Sequence, residues 1–229
     1  MRKNTIAAAV SAVIFTVAPL ATLGYEQGDW IVRVGAVLVE PDESGSALFA
    51  NGSAVAGTGL GVGNDVQLGL TVSYMLSDNI GIELLAATPF THDVSAKGLG
   101  GLGVPDGTKI ASVEHLPPTL SLQYYFMAAA SALQPYAGIG VTYFLVLDES
   151  LTGGAEAALG ASNLEVDDTI GLAFELGVDY RINDRWLINA AVWKIDVDTK
   201  VSLDSAIGRV TTDLDIDPWT YMVSVGYKF

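Results

Sequence analysis

The sequence contains no cysteine, so neither a disulfide framework nor a thiolate metal site is available to it. Charge is scarce as well. Charged residues make up 16% of the chain, against roughly 25% in soluble domains. Basic residues are scarcer still, 11 against 26 acidic, for a net charge of −15. That balance excludes the basic footprint that nucleic-acid binding requires. After residue 20 there is also no run of about 18 consecutive apolar residues, so no transmembrane helix is expected. Yet half of the 229 residues are hydrophobic. That much apolar surface in one domain-sized chain must be buried in some other way.

The first residues read as a secretory signal peptide. Arg2 and Lys3 form its basic start, and residues 6–20 supply an apolar stretch interrupted by Pro19. Thr22 and Gly24 stand at the −3 and −1 positions of a cut before Tyr25, and Ala21 is a second possible site. Removing residues 1–24 leaves nine basic and 26 acidic residues, a net charge of −17. The remaining domain, 25–229, is exported.

Its apolar residues recur with period two. Near the C-terminus Trp219, Tyr221, Val223, Val225, Tyr227 and Phe229 share one face, while Thr220, Met222, Ser224, Gly226 and Lys228 share the other. Large apolar side chains in alternation, with aromatics at both ends, fit a strand that crosses a bilayer between two aromatic girdles. Seven more segments of similar length fall at 30–39, 66–75, 80–89, 115–126, 135–147, 170–182 and 186–197. Each meets the roughly 9–11 tilted residues that a spanning strand needs. The connections 76–79, 127–134 and 183–185 are short. Those at 40–65, 90–114, 148–169 and 198–217 are long and rich in Gly, Ser, Asp or Glu. This alternation predicts an all-β, eight-stranded antiparallel transmembrane barrel with short periplasmic turns, long extracellular loops and both termini in the periplasm. Because an open sheet edge cannot face lipid, the strands close on themselves. The location is the bacterial outer membrane, in contact with its lipid and lipopolysaccharide.

Several runs then carry a family resemblance: Gln67 to Phe90 (QLGLTVSYMLSDNIGIELLAATPF), His115 to Leu120 (HLPPTL), Pro135 to Gly140 (PYAGIG), Gly177 to Tyr180 (GVDY) and Asp217 to Trp219 (DPW). In order and across essentially the whole mature chain, they resemble the outer membrane protein W (OmpW) family, itself similar to the AlkL proteins that admit alkanes. The resemblance implies an eight-stranded barrel with a narrow hydrophobic channel for small apolar molecules. It also implies delivery by the barrel assembly machinery, which such proteins engage through a terminal Phe. The acidic loop 148–169 has no strong motif, so ligand selectivity does not follow from the family.

Parity lists the inner face independently. A charge facing lipid at the midplane costs about 2–4 kcal/mol, so Arg33, Glu83, Glu175, Asp179 and Lys228 point their strands' faces inward. With strand direction added, Arg33, Glu83, Glu175, Asp179, Arg181 and Lys228 gather at mid-depth and towards the periplasm, able to pair into a plug. Val37, Val39, Leu85, Trp193, Ile195 and Met222 lie further out and form an apolar lining. Gln67, Thr71 and Met75 face in, and Trp193 and Ile195 share their face with Leu187, Asn189 and Ala191. An eight-stranded barrel is just wide enough to fill with side chains. The residues therefore leave two readings open, a ligand pocket or simple packing, and the resemblance favours the pocket. A ligand above a plug needs a sideways exit. Pro89, Pro117 and Pro118, which donate no ladder hydrogen bond, are the candidates for it. Strand termination is the other account of these prolines. The alternative function is a structural or stress-response barrel, or a surface receptor, without transport.

Catalytic and metal signals are weak. His92 and His115 are the only histidines, with Asp93, Ser95, Ser112 and Glu114 near in sequence, but no G-x-S-x-G elbow accompanies them. No catalytic residue is assigned. Asp148, Glu149, Glu156, Glu165, Asp167 and Asp168 lack EF-hand spacing and read as solvated loop charge. The glycine-rich 98–103 lacks a following Gly-Lys-Ser and reads as a flexible loop. No cofactor or metal is expected.

Overall fold

A computed structural model describes residues 25–42, 44–45, 47–128 and 131–229. The expected signal peptide, 1–24, lies outside the described residues. Eight strands make the wall: β1 (Trp30–Glu40), β2 (Asp65–Met75), β3 (Ile80–Ala87), β4 (Thr119–Tyr125), β5 (Leu133–Leu151), β6 (Thr169–Arg181), β7 (Trp186–Asp196) and β8 (Trp219–Lys228). Each pairs antiparallel with its sequence neighbours, and β1 pairs with β8, with Arg33 opposite Gly226 and Val37 opposite Met222. The sheet is closed and has no edge, so every wall strand's backbone groups are paired where lipid offers no partners.

The period-two pattern sorts side chains in or out. Leu68, Leu70, Leu120, Leu122, Leu172, Phe174, Leu176, Val223 and Val225 are all exposed. A belt of that size is tolerated only where the solvent is itself apolar. Trp30 packs on Tyr74, Tyr124 on Phe126, and Trp186 and Phe229 on Tyr227, forming one girdle. Trp219, Tyr221 and Tyr143 mark the other end.

The long connections differ from the expected loops. Residues 90–116 contain the hairpin Phe90–Lys97 with Lys109–Leu116, and 198–217 contain Asp198–Ser205 with Gly208–Asp215. The acidic segment 148–169 holds the end of β5, the strand Ser162–Val166 and a seven-residue helix, Gly153–Leu159, whose first turn is capped by the Thr152 hydroxyl. Within 98–103, Gly100–Leu102 form a 3₁₀ turn closed by Gly103 at φ +82°. Alternating residues such as Thr199, Val201 and Leu203 opposite Leu214, Thr212 and Val210 explain why pairing continues beyond the membrane. The fourth wall strand also starts later than the expected 115, at Thr119, because Pro117 and Pro118 interrupt the ladder there.

Candidate functional site

The lumen is divided into two layers. In the lower one, Arg33 on β1 is completely buried, and a buried guanidinium must have all its donors satisfied. Its Nη1 donates to Glu83 Oε2 at 2.7 Å and to Ser73 Oγ at 2.7 Å. Its Nε and Nη2 form a two-pronged pair with Asp179, at 3.0 and 2.6 Å. Nη2 also reaches the Tyr125 hydroxyl at 3.1 Å. Such fork geometry is what Arg offers and Lys does not. Asp179 further accepts from Tyr25 and from Asn189 Nδ2. Below, Tyr25, Ile31, Met75, Tyr125, Tyr136 and Leu187 pack into a seal. A Cβ at Gly177 would lie 2.2 Å from the Tyr136 ring, so only glycine lets that ring lie against the wall.

The sequence-derived charged set does not meet as one cluster. Arg33, Glu83 and Asp179 do. Glu175 borders Glu83 and accepts from Gln123 Nε2 at 2.9 Å, while Arg181 lies over the Tyr25 ring at 5.4 Å and Lys228 pairs with Asp29 at 3.0 Å on the rim. Tyr25, Gln123, Tyr125, Tyr136 and Ser73 take the remaining places. Sequence reasoning passed over Gln123, Tyr125 and Tyr136 because β4 and β5 carry no mid-membrane charge to orient them, whereas Ser73 shares the inward parity of Thr71 on β2 and Tyr25 precedes the first strand.

Val37, Val39, Leu85, Trp193, Ile195 and Met222 all belong to one buried apolar cluster above this layer. Val39 and Ile195 reach the wall of an apolar cavity whose lining includes Phe144, Val197, Leu214 and Ile216. Val37, Leu85, Trp193 and Met222 pack beneath it, between cavity and plug. A second apolar cavity, near the loop tips, borders Leu60, Ile110, Val201 and Leu203, which also line the first.

His92 and His115 enter this upper chamber from paired strands. Their rings stack at 5.0 Å, and His115 stacks on Phe144 at 4.3 Å. Burial drives the His115 imidazole down to about 3 and lowers His92 as well, so both rings are neutral near pH 7. No Ser hydroxyl is hydrogen-bonded to either ring among the described residues: Ser112 and Ser95 bond to Asp93 and Gly61 instead.

The seam between β3 and β4 is incomplete at chamber level. Its last ladder pair is Leu85 with Thr119, and pairing resumes only at Phe90 with His115. Pro89, Pro117 and Pro118 stand in the interval, and Pro117 lines the cavity. Three residues without an N–H account for the missing ladder bonds.

A model of the OmpW family matches residues 26–229. The chain belongs to the OmpW family. Outer membrane protein W of Vibrio cholerae is 40% identical over 220 residues, 95% of this chain and 96% of that one. The crystal structure of OprG from Pseudomonas aeruginosa superposes with a TM-score of 0.84 at 46% identity, covering 90% of this chain and 98% of OprG. Outer membrane protein AlkL of Ectopseudomonas oleovorans is 28% identical over 211 residues, 92% of this chain and 86% of AlkL. The protein is therefore an outer-membrane barrel of the OmpW family and not an enzyme.

Proposed function

We propose that this OmpW-family barrel is a passive channel for small apolar molecules, which enter through the loop cavities and leave sideways into the membrane. The observation that carries the reading is the contrast between a cavity lined by carbon and the hydrogen-bonded plug directly beneath it. A molecule in the chamber meets apolar walls of the kind ligand sites use. Passage onward to the periplasm would strip Arg33 of its partners, whereas the β3–β4 seam at Pro89, Pro117 and Pro118 lacks ladder pairs beside the cavity that Pro117 lines. A lateral exit needs no ladder bond to be broken there.

The test is uptake of n-octane and related solutes into liposomes holding the protein, with ion conductance recorded on the same preparation. Uptake without conductance is expected. Leu85→Arg places a charge in the packing beneath the chamber and should abolish uptake in a barrel that still folds. Unchanged uptake in that variant would refute the channel reading.

A further inference from the structure

The chamber walls are carbon apart from His92, Thr142 and Thr199, whose polar atoms have protein partners, and His115 and Thr220, below which lies Trp193. His115 Nδ1, Trp193 Nε1 and Thr220 Oγ1 are buried and have no hydrogen-bond partner among the described residues. Their residues are only 4%, 1% and 3% exposed. His115 and Thr220 line the cavity, and Trp193 is the cross-strand partner of Thr220 on the inner face of β7. In the lower layer the buried atoms without a hydrogen-bond partner among the described residues are Glu83 Oε1, Glu175 Oε2 and Arg181 Nη1, all on ionisable groups of the plug, whereas those at the chamber and its floor belong to His, Trp and Thr. Neither histidine carries charge near pH 7, and His92 Nδ1 is already taken by the Gly63 carbonyl. The nearby polar groups are therefore neutral. The Trp193 N–H can only donate, and the Thr220 hydroxyl can donate or accept. A ligand oxygen with lone pairs satisfies both. A hydrocarbon leaves all three atoms unpaired, and a site with buried polar groups discriminates against the analogue that cannot pair them.

We infer that the chamber selects apolar molecules carrying one neutral oxygen, such as a medium-chain ketone or alcohol, over the corresponding hydrocarbon, with His115, Trp193 and Thr220 as the specificity-determining residues. The inference rests on the channel reading for the chamber's role and adds the chemical class of what it takes.

The test compares 2-octanone with n-octane, each normalised to its partition into protein-free vesicles. Trp30, Trp186 and Trp219 face lipid, so W30F/W186F/W219F leaves Trp193 as the only tryptophan and its emission as a binding signal. The ketone should bind about tenfold more tightly, the scale of one net hydrogen bond at the upper end of its usual range. Thr220→Val keeps the shape without the hydroxyl, and His115→Phe keeps a flat ring on Phe144. Each should lower the ketone preference several-fold, and heat-modifiable gel migration reports that the barrels have folded. Equal binding of the two solutes to the otherwise native protein, which requires no folding of Thr220 or His115 variants, overturns the inference alone. So does a preference undiminished in both variants. If the ketone is preferred in binding but neither solute is taken up, the channel reading falls and this inference stands.

Discussion

The floor and the chamber of this lumen lie one above the other in the same eight strands, yet they are built by opposite rules. In the floor, a single cation is surrounded by acceptors: Glu83, Asp179, Ser73 and Tyr125 all engage Arg33. In the chamber and just beneath it, aliphatic and aromatic side chains surround space, and three buried polar atoms, on His115, Trp193 and Thr220, have no hydrogen-bond partner among the described residues. A satisfied buried network is rigid and specific to one arrangement, because moving any member leaves a charge unpaired. An apolar wall imposes no such geometry and accepts any shape that fits. The difference teaches that this barrel spends its polar side chains on closing one end and leaves the other adaptable.

The comparison can be broken most forcefully at the floor. Arg33→Met should destabilise the barrel by about 3–5 kcal/mol, since it leaves Glu83 and Asp179 buried without their cation. Urea unfolding in lipid vesicles measures this, and a loss below about 1 kcal/mol would mean that water already reaches the floor.

A smaller effect is expected at the chamber mouth, from pH. His115 is held neutral by burial, its titration lowered from the usual 6.5 to about 3. The open state binds a proton that the closed state refuses, so the contribution to stability is fully present above pH 6.5. It is lost progressively as pH falls towards 3. Amide-exchange protection of Lys109–Leu116 should therefore be lower at pH 4.5 than at pH 7. His115→Phe should flatten the dependence in part, leaving the share contributed by His92, which is shifted in the same direction. Protection that is flat in the unsubstituted protein would show that the mouth is already hydrated.

The smallest effect belongs to the rim. Lys228→Met removes the ion pair with Asp29, whose side chains remain partly exposed at 18% and 17%. A loss of about 0.2–1 kcal/mol is expected, read in the same urea experiment. A loss as large as that of Arg33→Met would extend the floor's rule to the periplasmic edge.

Much of the wall was legible because its rule is local. Arg33, Glu83, Glu175 and Asp179 orient their own strands, since a charge at mid-membrane has only one acceptable side. The inward set of β7, from Leu187 to Ile195, followed from the alternation alone. β4 and β5 offered no such marker, so Gln123, Tyr125 and Tyr136 went unassigned, although they share inward parity with Thr119 and Thr142. The hairpins beyond the membrane were missed for another reason: their Gly and Asp content reads as loop, while their pairing depends on strands fixed below them.

The sequence by itself determined the environment, the number of strands, their closure and which face of most strands turns inward, because period-two alternation and the bilayer act on each strand separately. Only the tertiary structure decided which inward residues meet. Arg33 finds Asp179 across 146 residues of chain, while Lys228, on the same inward parity, ends at Asp29 instead. The stacking of His92, His115 and Phe144, and the unpaired seam between Leu85 and Phe90, likewise depend on the register of strands distant in sequence. Register is set by the closed ring as a whole, and no single strand's pattern contains it.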